Sequence, residues 1–211
     1  VRFEEELDSV LPPDLPRRAA VIALSARHLE LIEQANAQFN LTRITGAREA
    51  AIKHVLDSVL PWREFAGATR VLDAGTGAGF PGIPLAIALP ETHFTLTDSV
   101  GKKARFVESS IRALGLLNVT AINARAEEIL GTHPAAIITG RALAPLDKAC
   151  ALFGPALRSG SRAILYKGPD VDSEMEAASS EARKQRLQLR VIQRYQLPDN
   201  LGTRTLVQMS S

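Results

Sequence analysis

The sequence predicts an α/β fold: a mostly parallel seven-stranded sheet with an antiparallel edge strand, preceded by an N-terminal helical extension. Three observations carry this reading. Residues 1–66 place their apolar side chains at helical spacing. From Arg70 onward, short apolar runs alternate with amphipathic stretches, as in a parallel sheet covered on both faces. The last two runs have no helical stretch between them, so they pair antiparallel at the edge. We therefore divide the chain at 66/67, with the extension packed on one compact unit of residues 67–211.

In the extension, Leu24, His28, Leu31, Ile32, Ala35 and Phe39 fall at i, i+4, i+7, i+8, i+11 and i+15, one face at helical period. Residues 47–60 predict a second helix with Ile52, Val55, Leu56 and Val59 on one side, ended by Pro61. A polar connector, 40–46, joins the two. Strands are expected over 71–73, 93–98 (Phe94 and Leu96 inward), 119–122, 135–139, 162–166, 189–195 and 203–209. Helices are expected from the glycine-rich turn to Leu89 and over 102–114, 146–157 and 173–186. The stripe of the 102–114 helix is Val107, Ile111 and Leu114.

With 211 residues, 45% of them apolar and 23% charged, the chain reads as an ordinary soluble globular protein. Its single Cys150 excludes an internal disulfide and a multi-cysteine zinc site. No run approaches the ~20 apolar residues of a spanning helix, and the acidic start lacks a signal-peptide core. A cytoplasmic protein is expected. The four histidines show no metal spacing; His28 reads as a core or capping residue and His54 as helix packing. Net charge is only +2. Arg183, Lys184, Arg186, Arg190, Arg194 and Arg204 nevertheless face only Glu181 and Asp199 within residues 181–204, a weak pointer to an anionic partner that a solvated face explains equally well.

The chemistry concentrates in residues 73–82, Asp-Ala-Gly-Thr-Gly-Ala-Gly-Phe-Pro-Gly, between the first strand and its helix. Open α/β sheets bind nucleotides at this carboxyl edge. Gly77 to Gly82 spells G-x-G-x-x-G, which alone fits a dinucleotide whose pyrophosphate sits on the helix N-terminus. A second register starts at the acid, Asp73-x-Gly75-x-Gly77-x-Gly79. There Asp73 can bond the amino group of a methionine-derived methyl donor, and Asp98, ending the second strand, can grip ribose hydroxyls. The extra acid and the third close glycine favour the methyl donor.

The chain also resembles a known family, the bacterial small-subunit (16S) rRNA guanine-N7 methyltransferases, or glucose-inhibited division protein B family. The matching segments are residues 40–42, 54–58, 73–85, 98–103, 125–127, 141–142 and 167–168, in that order. The resemblance implies a Rossmann-like class I methyltransferase domain over 67–211 that uses S-adenosylmethionine. It implies that Gly75, Gly77 and Phe80 line the donor pocket beside Asp98, that Ala126 and Glu127 flank the adenine, and that Arg141 stands near the reactive end. Three departures from the family are Phe39 in place of a tryptophan-containing segment, Gly140 for Ser, and Thr205 for His.

Guanine N7 attacks a sulfonium methyl through an in-plane lone pair, so alignment suffices and no strong base is needed. The sequence agrees: it has no Asn/Asp-Pro-Pro-aromatic tetrapeptide and no cysteine near a strand end. We expect Arg141 to orient the base, with Asn40 and Lys167 as further substrate contacts. Lys102, Lys103, Arg105 and Arg204 are expected to meet phosphates. The expected partner is 16S rRNA or the small ribosomal subunit, taken by a monomer that uses neither metal nor membrane. Two other classes are weighed against this: an NAD-dependent oxidoreductase, which the literal G-x-G-x-x-G suggests, and a non-catalytic ribosome-assembly module.

Overall fold

The structure is a computed structural model that describes residues 2–37, 40–44 and 46–211. Phe39 lies outside the described residues. The chain opens with α1 (Arg2–Val10) and α2 (Arg18–Asn36), parted by Pro12, Pro13 and Pro16. The buried face of α2 carries Val21, Ser25, His28, Leu29 and Ile32, with Leu24, Leu31 and Ala35 half-buried at its margin. It is rotated from the expected stripe because α2 packs on α1 on one side and on the helices beneath the sheet on the other.

The second expected helix is three pieces in one run: α3 (Ala47–Ala50), a π-helical segment (Ala51–Leu56) and α4 (Asp57–Val59). Ile52, Val55, Leu56 and Val59 are all buried, as their spacing requires. The widened turn was not legible in the residue pattern; such bulges are rare and cluster at functional sites. A short α5 (Trp62–Phe65) leads to the sheet.

The strands are β1 (Arg70–Ala74), β2 (His93–Thr97), β3 (Val119–Ile122), β4 (Ile137–Arg141), β5 (Arg162–Lys167), β6 (Gln188–Gln196) and β7 (Thr203–Ser210). Their order is β3-β2-β1-β4-β5-β7-β6, with β1 to β5 parallel and β7 antiparallel to both its neighbours. The antiparallel pairing falls at one end of the sheet, and β6 is the outermost strand. The intervening helices are α6 (Gly82–Ala88), α7 (Gly101–Leu114), α8 (Ala126–Ile129), α9 (Leu146–Arg158) and α10 (Val171–Gln185).

Alternate residues along each strand feed two cores, one per face. Val71, Phe94, Leu96, Ile137 and Ile164 pack with α1, α2, the π segment, α6 and α7. Leu72, Ala74, Ile138, Ala163 and Leu165 pack with α9 and α10. The N-terminal helices thus complete one covering layer. Because both faces are covered, Thr97 of β2 is as buried as the inward Phe94 and Leu96, and Thr95 is buried too. Two registers fix the site: Ala74 pairs Thr97, and Arg141 pairs Tyr166, so β1, β2, β4 and β5 end together. Since β7 runs the other way, its beginning lies at that same edge, Thr205 opposite Lys167.

Candidate active site at the carboxyl edge

The glycine-rich turn leaves β1 with Gly75, Gly77 and Gly79 at φ +67°, +62° and +102°. At Gly79 a Cβ would stand 2.6 Å from Ile83 Cδ1 and 3.0 Å from His28 Cε1, so no side chain fits there. Asp73 is fully buried beneath this turn. Its Oδ2 accepts the Thr76 hydroxyl at 2.7 Å and the Gly82 amide at 2.9 Å. Burial pushes the Asp73 carboxyl up to about 6, against the pull of those two hydrogen bonds. Its Oδ1 is buried with no hydrogen-bond partner among the described residues. The expected donor ligand therefore sits under the turn as a brace. The same contact bears on the dinucleotide register, because the first amide of α6, which a pyrophosphate needs, points at Asp73 instead.

Asp98 sits one strand across, at the end of β2. Its Oδ2 accepts the Gly77 amide at 3.0 Å and its Oδ1 the Val100 amide at 2.9 Å, while Asn123 Nδ2 bonds its carbonyl at 2.8 Å. Both carboxylate oxygens are thus aimed by backbone and keep lone pairs for ribose hydroxyls. Beside it lies a cavity of about 290 Å³ walled by Gly75, Ser99, Ala126, Glu127, Leu143 and Ala144 among others. Gly75, Ala126 and Glu127, which the resemblance assigns to the donor, line this one cavity. Leu143 was missed: its Cδ1 is 3.0 Å from where a Cβ on Gly75 would be, and its Cδ2 is 3.3 Å from the same point on Gly140. A Cβ on Gly140 would lie 2.9 Å from the Ala74 carbonyl oxygen, so this departure from Ser lets Leu143 fold over the turn.

Phe80 turns away from that cavity and is buried. It lies parallel to His54 (centroids 4.6 Å apart, 4° between planes) and tilted against His28 (5.0 Å, 34°). Burial holds His28 down to about 4 and His54 to about 3; the charges of Arg141, His28 and Lys53 add to the shift at His54. Both rings are neutral at physiological pH, and the stack ties α2 and the π segment to the glycine turn. His54 Nε2 meets the Thr42 hydroxyl at 3.1 Å, and Asn36 pins the connector through the Leu41 and Thr42 amides and the Thr42 carbonyl. Asn40, in that connector, is exposed.

A second cavity, about 390 Å³, opens at the ends of β4 and β5 and is walled by Lys53, His54, Arg141, Ala142, Tyr166, Lys167, Glu174 and Arg204 among others. Its two arginines converge on Asp57, whose side chain is fully buried. Arg141 Nη1 donates to Asp57 Oδ2 at 3.0 Å and to the Lys53 carbonyl at 2.5 Å. Arg204 grips both Asp57 oxygens at 2.9 and 2.8 Å, and the Tyr195 hydroxyl donates to Oδ1 at 3.1 Å. Burial, then Asp57, pushes the Tyr195 hydroxyl far above its ordinary range, so it stays a donor. Two guanidiniums share one carboxylate, which leaves the wall cationic. Lys167 Nζ pairs with Glu174 at 2.6 Å and bonds the Ala144 carbonyl at 2.9 Å.

Arg141, Lys167 and Arg204 thus meet in one pocket, yet Arg204 faces inward to Asp57 and not outward to solvent. Lys102, Lys103 and Arg105 line the first turns of α7, with Lys102 and Arg105 exposed. Asp57, Glu174 and Tyr195 were missed. Asp57 carried a signal: it is a carboxylate amid the buried run Val55, Leu56 and Val59, a place where charges occur only when paired. In the basic C-terminal stretch, Arg194 pairs with Asp172 and Lys184 with Glu181, and Arg183, Arg186 and Arg190 are exposed. No helix among the described residues is long and apolar enough to cross a membrane.

The fold and the cleft together define the methyltransferase class of α/β proteins. A putative O-methyltransferase from Klebsiella pneumoniae superposes with a TM-score of 0.60 at 16% identity, over 97% of this chain and 93% of that one. Cofactor-bound Rv0187 from MTB gives 0.59 at 19% identity, over 94% and 98%. Within that class the chain belongs to the GidB family, rRNA small subunit methyltransferase G, whose model matches residues 22–201. Ribosomal RNA small subunit methyltransferase G of Solibacter usitatus (strain Ellin6076) is 61% identical over 207 residues, 98% of this chain and 99% of that protein. The protein of the same name from Carboxydothermus hydrogenoformans is 41% identical over 192 residues, covering 88% and 81%.

Proposed function

We propose that this protein transfers a methyl group from S-adenosylmethionine to N7 of one guanine in 16S rRNA, acting as a monomer without a metal. Residues 1–66 serve as an extension packed on the catalytic unit, 67–211. One observation carries the reading: two cavities open at the carboxyl edge, walled by successive residues of the segment that ends β4 and follows it. Arg141 and Ala142 line the cationic cavity, and Leu143 and Ala144 line the one beside Asp98. Ala142 holds φ +53°, a conformation that costs an alanine about 1 kcal/mol and that a divider between two ligands explains.

S-adenosylmethionine, when bound, supplies an electrophilic methyl on its sulfonium. Asp98, aimed by the Gly77 amide, would hold the ribose end, Ala126 and Glu127 would border the adenine, and Asp73 keeps the turn in shape. The target base enters the second cavity, where Arg141 stands beside O6. Attack by the N7 lone pair on that methyl would need no proton transfer, so the residues here need supply no base. Asp57 and Lys53 hold the guanidinium, so the chain's contribution is alignment. Positive charge grows on the purine, so Arg141 positions the base and gives that charge no stabilisation.

Incubation with radiolabelled S-adenosylmethionine and small ribosomal subunits lacking base modifications, followed by nucleoside separation, tests this. Label in 7-methylguanosine is expected. Label in another nucleoside overturns the target atom and keeps methyl transfer.

A further inference from the structure

We propose that Glu174 determines specificity for guanine by accepting hydrogen bonds from the base's N1–H and exocyclic amine. This rests on the reading of the 390 Å³ cavity as the base pocket. Guanine offers two unlike edges: N7 and O6 accept, whereas N1–H and the 2-amino group donate. A pocket that recognises an extruded base reads both edges. The cationic wall, Arg141 with Lys167, matches the accepting edge. Among the described residues walling the cavity, Glu174 is the one carboxylate, an acceptor-only group suited to the donating edge.

The sheet order sets these groups in the right sequence. From the donor cavity at β1, the next strand is β4, which ends in Arg141, and then β5, which ends in Lys167. Glu174 lies beyond them, in the first turn of α10. Around guanine the order is the same: N7, then O6 beside it, then N1 and the 2-amino group on the far side. With N7 presented to the methyl, O6 meets the cationic wall and the donors fall toward Glu174.

Glu174 is held for this role. Its Oε2 takes both the Lys167 ammonium at 2.6 Å and the Leu146 amide at 3.3 Å, so the carboxylate is anchored through one oxygen. Its side chain is about a third exposed, whereas that of Lys167 is nearly covered, so the carboxylate is the half of the pair open to a ligand. Adenine, with an amine at position 6 and no N1–H, would set a donor against Arg141 and a lone pair against Glu174.

The test uses full-length protein and small subunits whose rRNA carries guanosine or inosine at the methylated position. Inosine keeps N7, O6 and N1–H and lacks only the 2-amino group. Wild type should lose about ten- to a hundredfold in kcat/KM on inosine, the range for a hydrogen bond to a charged group. Glu174→Ala should lower the guanosine rate and bring the guanosine-to-inosine ratio close to one, with Glu174→Gln in between. Calorimetric S-adenosylmethionine affinity equal to wild type shows that the variants are folded. A ratio that stays at the wild-type value in Glu174→Ala overturns the inference and makes Glu174 only a prop for Lys167. The absence of an inosine penalty in wild type also overturns it. Failure of wild type to label guanosine defeats the guanine-N7 reading and the inference with it.

Discussion

The two halves of the carboxyl edge are built in opposite ways. On the β1–β2 side the glycine turn is held by backbone amides and two acids within residues 73–100, at separations of at most 21 residues. On the β4–β5–β7 side the groups are long charged side chains joined across the chain: Arg141 to Asp57 over 84 residues, Arg204 to Asp57 over 147. A cofactor common to many enzymes is met by local geometry that a motif can encode. The proposed base pocket rests instead on pairing that only the finished fold creates.

Removing Asp57 is the strongest way to break this contrast. Asp57→Ala leaves two guanidiniums and a tyrosine hydroxyl without their acceptor, and breaking a buried pair costs about 3–5 kcal/mol. Urea unfolding should show that loss, while calorimetric donor affinity changes far less than RNA affinity. Equal losses of both affinities would merge the two halves into one unit. Next in size, Asp98→Ala should weaken donor binding by about 3 kcal/mol, over a hundredfold, with RNA affinity kept; undiminished donor affinity would remove Asp98 from the site.

A third prediction concerns the histidine stack between the halves. The folded chain keeps His28 and His54 neutral down to about 4 and about 3, whereas the unfolded chain protonates them near 6.5. Their stabilisation is fully present above 6.5 and is lost as pH falls, at about 1.4 kcal/mol per unit for each group. Asp73, raised to about 6, acts in the opposite sense: its contribution is present below 3.8 and is lost as pH rises through 6. Two histidines outweigh one carboxylate, so stability should decline from pH 6.5 to 4. His28→Leu should flatten that decline by one group's share, and an unaltered slope would refute the assignment. Smallest of all, Lys103→Ala and Arg105→Ala should weaken RNA binding modestly. Each should lower the log–log salt slope by about 0.7–0.9, the value for one phosphate contact.

The same contrast governs what could be read in advance. The seven strands, the turn, Asp98 and the wall at Ala126–Glu127 were legible because strand period, glycine spacing and a strand-end acid are local signals. Asp73 was singled out for the donor's amino group, whereas tertiary burial turns its carboxylate under the loop toward Gly82 and Thr76. Arg204 was expected among outward phosphate contacts, yet its direction depends on a carboxylate 147 residues away. Glu174 looked like one more acid on a polar helix until β5 brought Lys167 beside it.

The inserted position of β7 has a consequence for synthesis. A chain emerging from its N-terminus can pair β1 to β4 and close the glycine turn on Asp98 while the remainder is still being added. Asp57, made early, stays buried beside only part of its charge partners until the residues around 204 have cleared the exit tunnel. The contacts around the glycine turn, all within residues 73–123, therefore precede in synthesis the Arg204 pairing that completes the charge cluster on Asp57.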